Sequence, residues 1–255
     1  MTRRIDAIVV AIPARDEAAR LPGALASVRR AADAVAADDA PPRVVVALAA
    51  DACRDETAAV ARRAGALVVE SSAGRVGAAR AAAIATGLAA LDAAPDATWI
   101  ACTDADVTVP ERWLAVHLAA ARAGVDLLLG SVRPSTADLD PAELARWAAL
   151  NPPSETHPYI HGANLGVRAD VYRAAGGFAA LAVGEDVGLA DAVRLHGGRV
   201  TSTDEAPVTV SGRVHGRAPG GFADYLLEHV LGTPLQQIPA PAAHRPRPAR
   251  VHPLR

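Results

Sequence analysis

Two carboxylates separated by a single alanine, Asp104 and Asp106, close the apolar run Trp99-Ile100-Ala101-Cys102. In an extended chain residues i and i+2 face the same way, so a pair at this spacing can present hard oxygen ligands together. Such ligands suit Mg²⁺ or Mn²⁺, ions that keep open or watered positions for substrate phosphates. A cation held there would neutralise a diphosphate leaving group. Two more polar clusters follow apolar runs: Pro13 to Glu17 after residues 6–12, and Ala50 to Thr57 after residues 43–49. Each has a plain local use, since Asp16 can cap a helix, Asp55 can open one and Asp104 can form an Asx-turn. Their recurrence at the ends of successive apolar runs favours a shared site.

The elements that must carry these clusters follow from periodicity. β-rich runs at 6–12, 43–49, 66–70 and 98–103 alternate with helical stripes, the first being Leu21, Leu25, Val28, Ala32 and Val35 at three-and-four spacing. Helices are expected at 57–64 and 76–91, and Thr108 with Glu111 forms a candidate capping box for a helix bearing Trp113, Leu114 and Leu118. Four strand-helix units predict an α/β fold: an open, largely parallel sheet with helices on both faces, binding ligands beyond the carboxyl ends of its strands. The second half is less regular, with strands expected at 126–132, 164–168 and 207–212 and a helix at 185–196. These extend the sheet and add an irregular substrate-facing layer. Residues 135–161 carry no recognisable code for an acceptor.

Composition removes several chemistries. All 26 basic residues are arginine, which excludes Schiff-base lysines and lysine-dependent phosphate loops. Cys53 and Cys102 form no CxxC pair, so neither structural zinc nor a disulfide framework is expected. Gly74 and Gly77 do not make GxGxxG, and no GxSxG or HExxH occurs. Although 51% of residues are hydrophobic, no uncharged run approaches the roughly 18 to 20 residues that span a bilayer. Asp6 interrupts the place where a secretory signal would begin its apolar core, which predicts a cytoplasmic protein. A single domain is expected over 1–232, followed by a Pro- and Arg-rich tail at 233–255. The tail carries about +4 and leaves the body at about −6, so no nucleic-acid partner is expected. A solvated, disordered tail is the first expectation, and docking on an acidic groove or an anionic membrane surface the second.

Taken in order, the clusters resemble the family 2 glycosyltransferases with the nucleotide-sugar-binding fold called GT-A. Pro13 to Glu17 resembles their first-strand turn, Ala50 to Thr57 their aspartate-rich second loop, and Gly74 to Arg80 their glycine-containing loop and helix start. Asp104-Ala105-Asp106 matches the DxD motif, Gly162 to Phe178 resembles the acceptor-side segment, and Gly184-Glu185-Asp186 matches the later acidic motif. The resemblance covers about residues 6–217. It implies a nucleotide-sugar-binding half at about 1–106 and an acceptor-side half at about 107–232.

Carried across residue by residue, the resemblance implies that Ala11, Pro13 and Glu17 shape the nucleotide pocket and that Asp51 holds the base. Arg80 would lie near the diphosphate, Asp104 would touch the ribose or a metal-bound water, and Asp106 would ligate Mn²⁺ or Mg²⁺. His215 is placed to complete the metal shell, and an exposed loop histidine is its equal alternative. Asp186 would be the general base, although the first turn of a helix favours its anion and weakens it. Neighbouring Glu185 and the substrate phosphates push the other way. Acceptor-side candidates are His157, Tyr159, His161, Asn164 and Glu185.

Two departures matter. Ala50 stands where many members have the first of two consecutive aspartates, which leaves the base preference open, and residues 210–222 lack the QxxRW signature of processive synthases. The implied activity is a single, metal-dependent transfer from a nucleoside-diphosphate sugar to an acceptor hydroxyl, with inversion and with retention as its alternative. A sugar-phosphate nucleotidyltransferase would want a glycine- and lysine-bearing loop after the first strand, where this chain has Pro13 to Glu17. A non-catalytic nucleotide-sugar-binding protein is the third reading. Ala50 leaves room for it, whereas Asp104, Asp106 and Asp186 speak against it.

Overall fold

The computed structural model describes residues 3–152, 154, 156–212 and 222–231. His215 and the tail at 233–255 lie outside the described residues. Seven strands form one sheet: β1 (Ala7–Ala14), β2 (Arg43–Asp51), β3 (Leu67–Ser71), β4 (Thr98–Cys102), β5 (Leu127–Pro134), β6 (Leu165–Arg168) and β7 (Val200–Val210). Their spatial order is β3-β2-β1-β4-β6-β5-β7. Only β6 runs antiparallel to its neighbours, so the sheet is mixed but largely parallel.

Helices α1 (Leu21–Ala36), α2 (Thr57–Arg63), α3 (Val76–Ala89) and α4 (Trp113–Arg122) follow the first four strands. Helices α5 (Pro141–Leu150), α6 (Ala169–Ala174) and α7 (Glu185–Leu195) belong to the second half, and α8 (Phe222–Tyr225) continues into a π-helical turn at Leu226–Leu231. All eight positions of β1 are buried, as expected of a strand covered on both faces. Its alternation divides two cores. Ile8, Val10 and Ile12 pack with Leu21 and Val28 of α1 and with Leu114 and Leu118 of α4. Val9 and Ala11 face the opposite core, with Ala83 and Ile84 of α3 and Leu189 and Val193 of α7. Alanine-rich α3 lies so close to the sheet that a Cβ on Gly87 would collide with Val9 Cγ1.

Two local expectations are corrected. Thr108 does not cap α4: its backbone pairs with Thr209 in both directions at 2.8 Å, and α4 begins at Trp113 with Arg112 at its cap position and no side-chain cap. The β-bridge claims Thr108 before the helix can. A true capping box opens α5 instead, where Asp140 accepts from the Glu143 N–H and the Glu143 side chain accepts from the Asp140 N–H. The last strand is also longer than its apolar part, because β7 begins at Val200 and tolerates Pro207 at the sheet edge through a register shift opposite Gly130 and Val132. No helix among the described residues is long and apolar enough to cross a membrane.

Candidate active site

A cleft of about 950 Å³ opens over the carboxyl ends of β1, β2 and β4 and is closed on its far side by residues 159–163, the start of α7, and α8. Parallel strands end there together, which is why residues distant in sequence meet. Asp51, the last residue of β2, is 4% exposed and accepts from Ser71 Oγ at 2.5 Å and from the Arg75 N–H at 3.1 Å. Its carboxylate is thus aimed before any ligand arrives. Pro13 and Glu17 line the same wall, and the Glu17 N–H donates to Thr57 Oγ1 at 2.8 Å.

The loops after β1 and β2 are clamped together below this wall. Asp55 accepts from the N–H groups of Thr57 at 2.9 Å and Ala18 at 3.0 Å, and Asp16 accepts from the Arg54 N–H at 2.6 Å. Asp16 and Ala52 adopt positive φ angles of 51° and 53°, a conformation that costs a non-glycine residue energy. Asp16, Cys53 and Asp55 also lie within 4.8 Å of one another through their ligand atoms. Burial pushes the Cys53 thiol pKa up, so the sulfur is held as a thiol and the trio serves as a loop clamp.

Strand β4 ends at Cys102, so the extended geometry that would point Asp104 and Asp106 the same way does not reach them. A turn follows, with the Val107 N–H donating to the Asp104 carbonyl at 3.2 Å. Both aspartates nevertheless line the cleft, so a turn achieves what the i, i+2 spacing was expected to do. Six carboxylates line the described wall, Glu17, Asp51, Asp104, Asp106, Glu185 and Asp186, against the three guanidiniums of Arg15, Arg75 and Arg80. This hard-oxygen, net-negative donor set fits Mg²⁺ or Mn²⁺.

Arg80, on α3, lines the cleft while only 2% exposed. Its Nη1 donates to Glu185 and its Nη2 to Asp104 at 2.5 Å, while the guanidinium stands over the Phe178 ring at 5.7 Å. Burial works against the cation, but the carboxylates of Asp104 and Glu185 outweigh it and raise its pKa. Burial raises the pKa of Glu185, against the pull of Arg80.

Asp186 follows in the first turn of α7, half-buried on the cleft wall, where its carboxylate accepts from the Gly162 N–H at 2.7 Å and from the Val187 N–H at 2.8 Å. His161 lies on the same wall with its pKa pushed down to about 4, chiefly by burial and further by His157, against the opposing pull of Asp186 and Asp104. Near neutral pH it is an uncharged imidazole, and it ends a stack in which His157 and Tyr159 lie 5.9 Å apart and Tyr159 and His161 6.2 Å apart.

Not every expected residue reaches the site. Ala11 is fully buried in the middle of β1 and off the cleft, where its carbonyl accepts from the Thr103 N–H at 3.2 Å. Asn164, 1% exposed, is spent in the core: it accepts from Trp113 Nε1 at 2.9 Å and donates to the carbonyls of Ser131 at 2.8 Å and Ala206 at 3.1 Å. Its place just before antiparallel β6 turns it inward, off the cleft lining. Glu185 lines the cleft but is committed to Arg80. Sequence reasoning missed an aromatic cluster in the lining of the cleft, where Trp147 meets Phe222 at 5.4 Å and Tyr225 at 5.8 Å in edge-on contacts. Asp140 and Glu143, which open the helix bearing Trp147, were its available signal.

A family model described as glycosyl transferase family 2 matches residues 9–180, about two thirds of the chain. The chain belongs to this family. Two solved structures share the fold of this family 2 chain. TarS 1–349 from S. aureus, in complex with UDP-GlcNAc, superposes with a TM-score of 0.60 at 15% identity, over 85% of this chain and 61% of that one. The mannosyltransferase PcManGT from Pyrobaculum calidifontis, in complex with GDP-Man and Mn²⁺, gives 0.57 at 21% identity, over 85% and 59%. The family 2 chain therefore spans about three fifths of the length of these structures, and the likeness establishes the GT-A type of sheet. No curated protein matches it in sequence.

Proposed function

We propose that the chain transfers a glycosyl group from a nucleoside-diphosphate sugar to an acceptor hydroxyl, in one inverting, non-processive displacement that depends on Mn²⁺ or Mg²⁺. The observation that carries this reading is the meeting of Asp51, Asp104 and Asp106 from two strand ends with Asp186 from α7 in one cleft. Residues 1–232 act as one domain, with the donor held by about 1–106 and the acceptor by about 107–232.

Asp51 is suited to the base, because its carboxylate is pre-aimed and buried, and Pro13 and Glu17 flank it. Asp106 would hold the cation, with Asp104 contributing to the ribose or to a metal-bound water. When bound, the cation supplies the positive charge that a departing diphosphate needs. Asp186 takes the proton of the acceptor hydroxyl as its oxygen bonds to the anomeric carbon. The carbon-oxygen bond to the diphosphate breaks in the same step, and the electron pair leaves with the nucleotide. Hydrogen bonds from Gly162 and Val187 orient the carboxylate of Asp186. Uncharged His161 can bond to a hydroxyl nearby without adding a competing positive charge.

The test is calorimetric titration with UDP-, GDP- and dTDP-sugars, with and without Mn²⁺. Saturable binding that requires the ion is expected for at least one donor. Asp106→Ala should lower donor turnover at least ~10²-fold while leaving the melting temperature within a few degrees. Unchanged turnover in that variant would remove Asp106 from the metal site.

A further inference from the structure

Arg80, Glu185 and Asp104 form an ion triad in the cleft wall that bears on the chemistry beside it. Arg80 is reached from three separated parts of the chain: Glu185 at the start of α7, Asp104 in the turn after β4, and the backbone at Gly162. A Cβ on Gly162 would collide with Arg80 Nη1, so a glycine is needed for that approach. Glu185 adjoins Asp186 in sequence, and the Gly162 N–H donates to the Asp186 carboxylate at 2.7 Å. The guanidinium therefore touches Glu185, which precedes Asp186 in the chain, and Gly162, whose N–H holds the Asp186 carboxylate, and it also grips the first aspartate of the Asp104-Ala105-Asp106 turn.

We propose that Arg80 is a positioning residue, a rigid fork that fixes the proposed base Asp186 and the donor-side turn at Asp104 in one mutual geometry. The proposal rests on the transferase reading of the same cleft. It differs from a phosphate-binding role, because both terminal nitrogens of Arg80 are occupied by carboxylates and the residue is 2% exposed. Its Nε is buried without a hydrogen-bond partner, so the position is maintained by its two carboxylate contacts rather than by full local satisfaction. Planarity matters here: a guanidinium reaches two carboxylates from fixed directions, whereas an ammonium is a point charge on a flexible stem. Misplacement by about 1 Å at a reacting centre can cost ~10²-fold in rate.

The experiment compares the full chain with Arg80→Lys and Glu185→Gln. The second variant leaves Arg80 bound to Asp104 and weakens only the arm to α7, and it decides the matter should Arg80→Lys fail to fold. UDP-GlcNAc and GDP-mannose with Mn²⁺ are the probes: donor Kd is read by calorimetry, kcat by release of the nucleoside diphosphate, and hydrogen exchange at the Gly162 amide. The expected result is donor Kd within about threefold of the parent and kcat at least tenfold lower. Exchange at Gly162 should be faster, with no change in α4 on the opposite face of the sheet. Donor Kd weakened tenfold or more with kcat at saturation unchanged would overturn the proposal, since Arg80 would then be a binder of the diphosphate. No change in any of the three readouts would overturn it equally. If the parent chain binds no nucleotide sugar, the transferase reading fails and takes the catalytic meaning of the fork with it, while exchange at Gly162 still reports whether the fork exists.

Discussion

Among single residues, Asp186 and His161 are read most directly from their surroundings. Asp186 is held by two backbone N–H groups, so removing its charge while keeping its shape should leave the wall intact. Asp186→Asn is expected to bind donor with unchanged Kd and to lose ~10²- to 10⁴-fold in kcat; full transfer activity would remove it as the base. His161 and His117 both have pKa values lowered to about 4, each chiefly by burial. Between that value and the ordinary value of 6.5 the unfolded chain binds protons that the folded chain does not. Stability should therefore be complete above pH 6.5 and fall as pH drops towards 4. For buried His117 the loss is bounded by ~3 kcal/mol. Melting curves from pH 7 to 4 check the sign, and His117→Gln should flatten the slope. Asp104, Asp106 and Asp51 were legible in the sequence because a parallel strand ends in a run of one kind and a site of another. Asn164 was not, because the direction of its side chain depends on an antiparallel neighbour that sequence spacing does not show.

Elements were legible where burial repeats with a period. Strands β1 and β4 are buried along their whole length because helices cover both faces, and α1 carries its apolar residues at three-and-four spacing. α5 escaped because it buries only Trp147, leaving its capping box as the stronger mark. β7 escaped in part because Thr201 to Glu205 are polar, as an edge strand permits, and a register shift interrupts its pairing with β5. α5 carries Trp147, which lines the cleft with Phe222 and Tyr225. Asp140→Ala removes the acceptor for the Glu143 N–H and one half of the box. The expected cost is ~1 kcal/mol, or roughly 2 to 4 °C in melting temperature. Donor Kd should stay unchanged, because the proposed donor-side carboxylates Asp51, Asp104 and Asp106 stand at the end of β2 and on the turn after β4. A weakened donor Kd in this variant would show that α5 also supports the donor half.

At the scale of the whole molecule, charge decides what the cleft can bind. The chain as a whole is close to balanced, at −2, yet the cleft gathers six carboxylates and three arginines, and Arg80 is already neutralised by Glu185 and Asp104. A diphosphate entering that space meets like charge in surroundings of reduced dielectric, where repulsion is stronger than in water. Affinity for a sugar nucleotide should therefore depend on the cation more steeply than affinity for the nucleoside alone, which carries no phosphate. The measurement is a pair of titrations, uridine against UDP and guanosine against GDP, each after chelation and again with Mn²⁺ restored. Chelation is expected to weaken the diphosphate at least tenfold and to leave the nucleoside within about twofold. Equal losses for both would mean that the ion supports nucleoside binding rather than neutralising phosphate. No loss for either would mean that the acidic floor meets the diphosphate without a cation, and the metal-dependent mechanism would have to be given up.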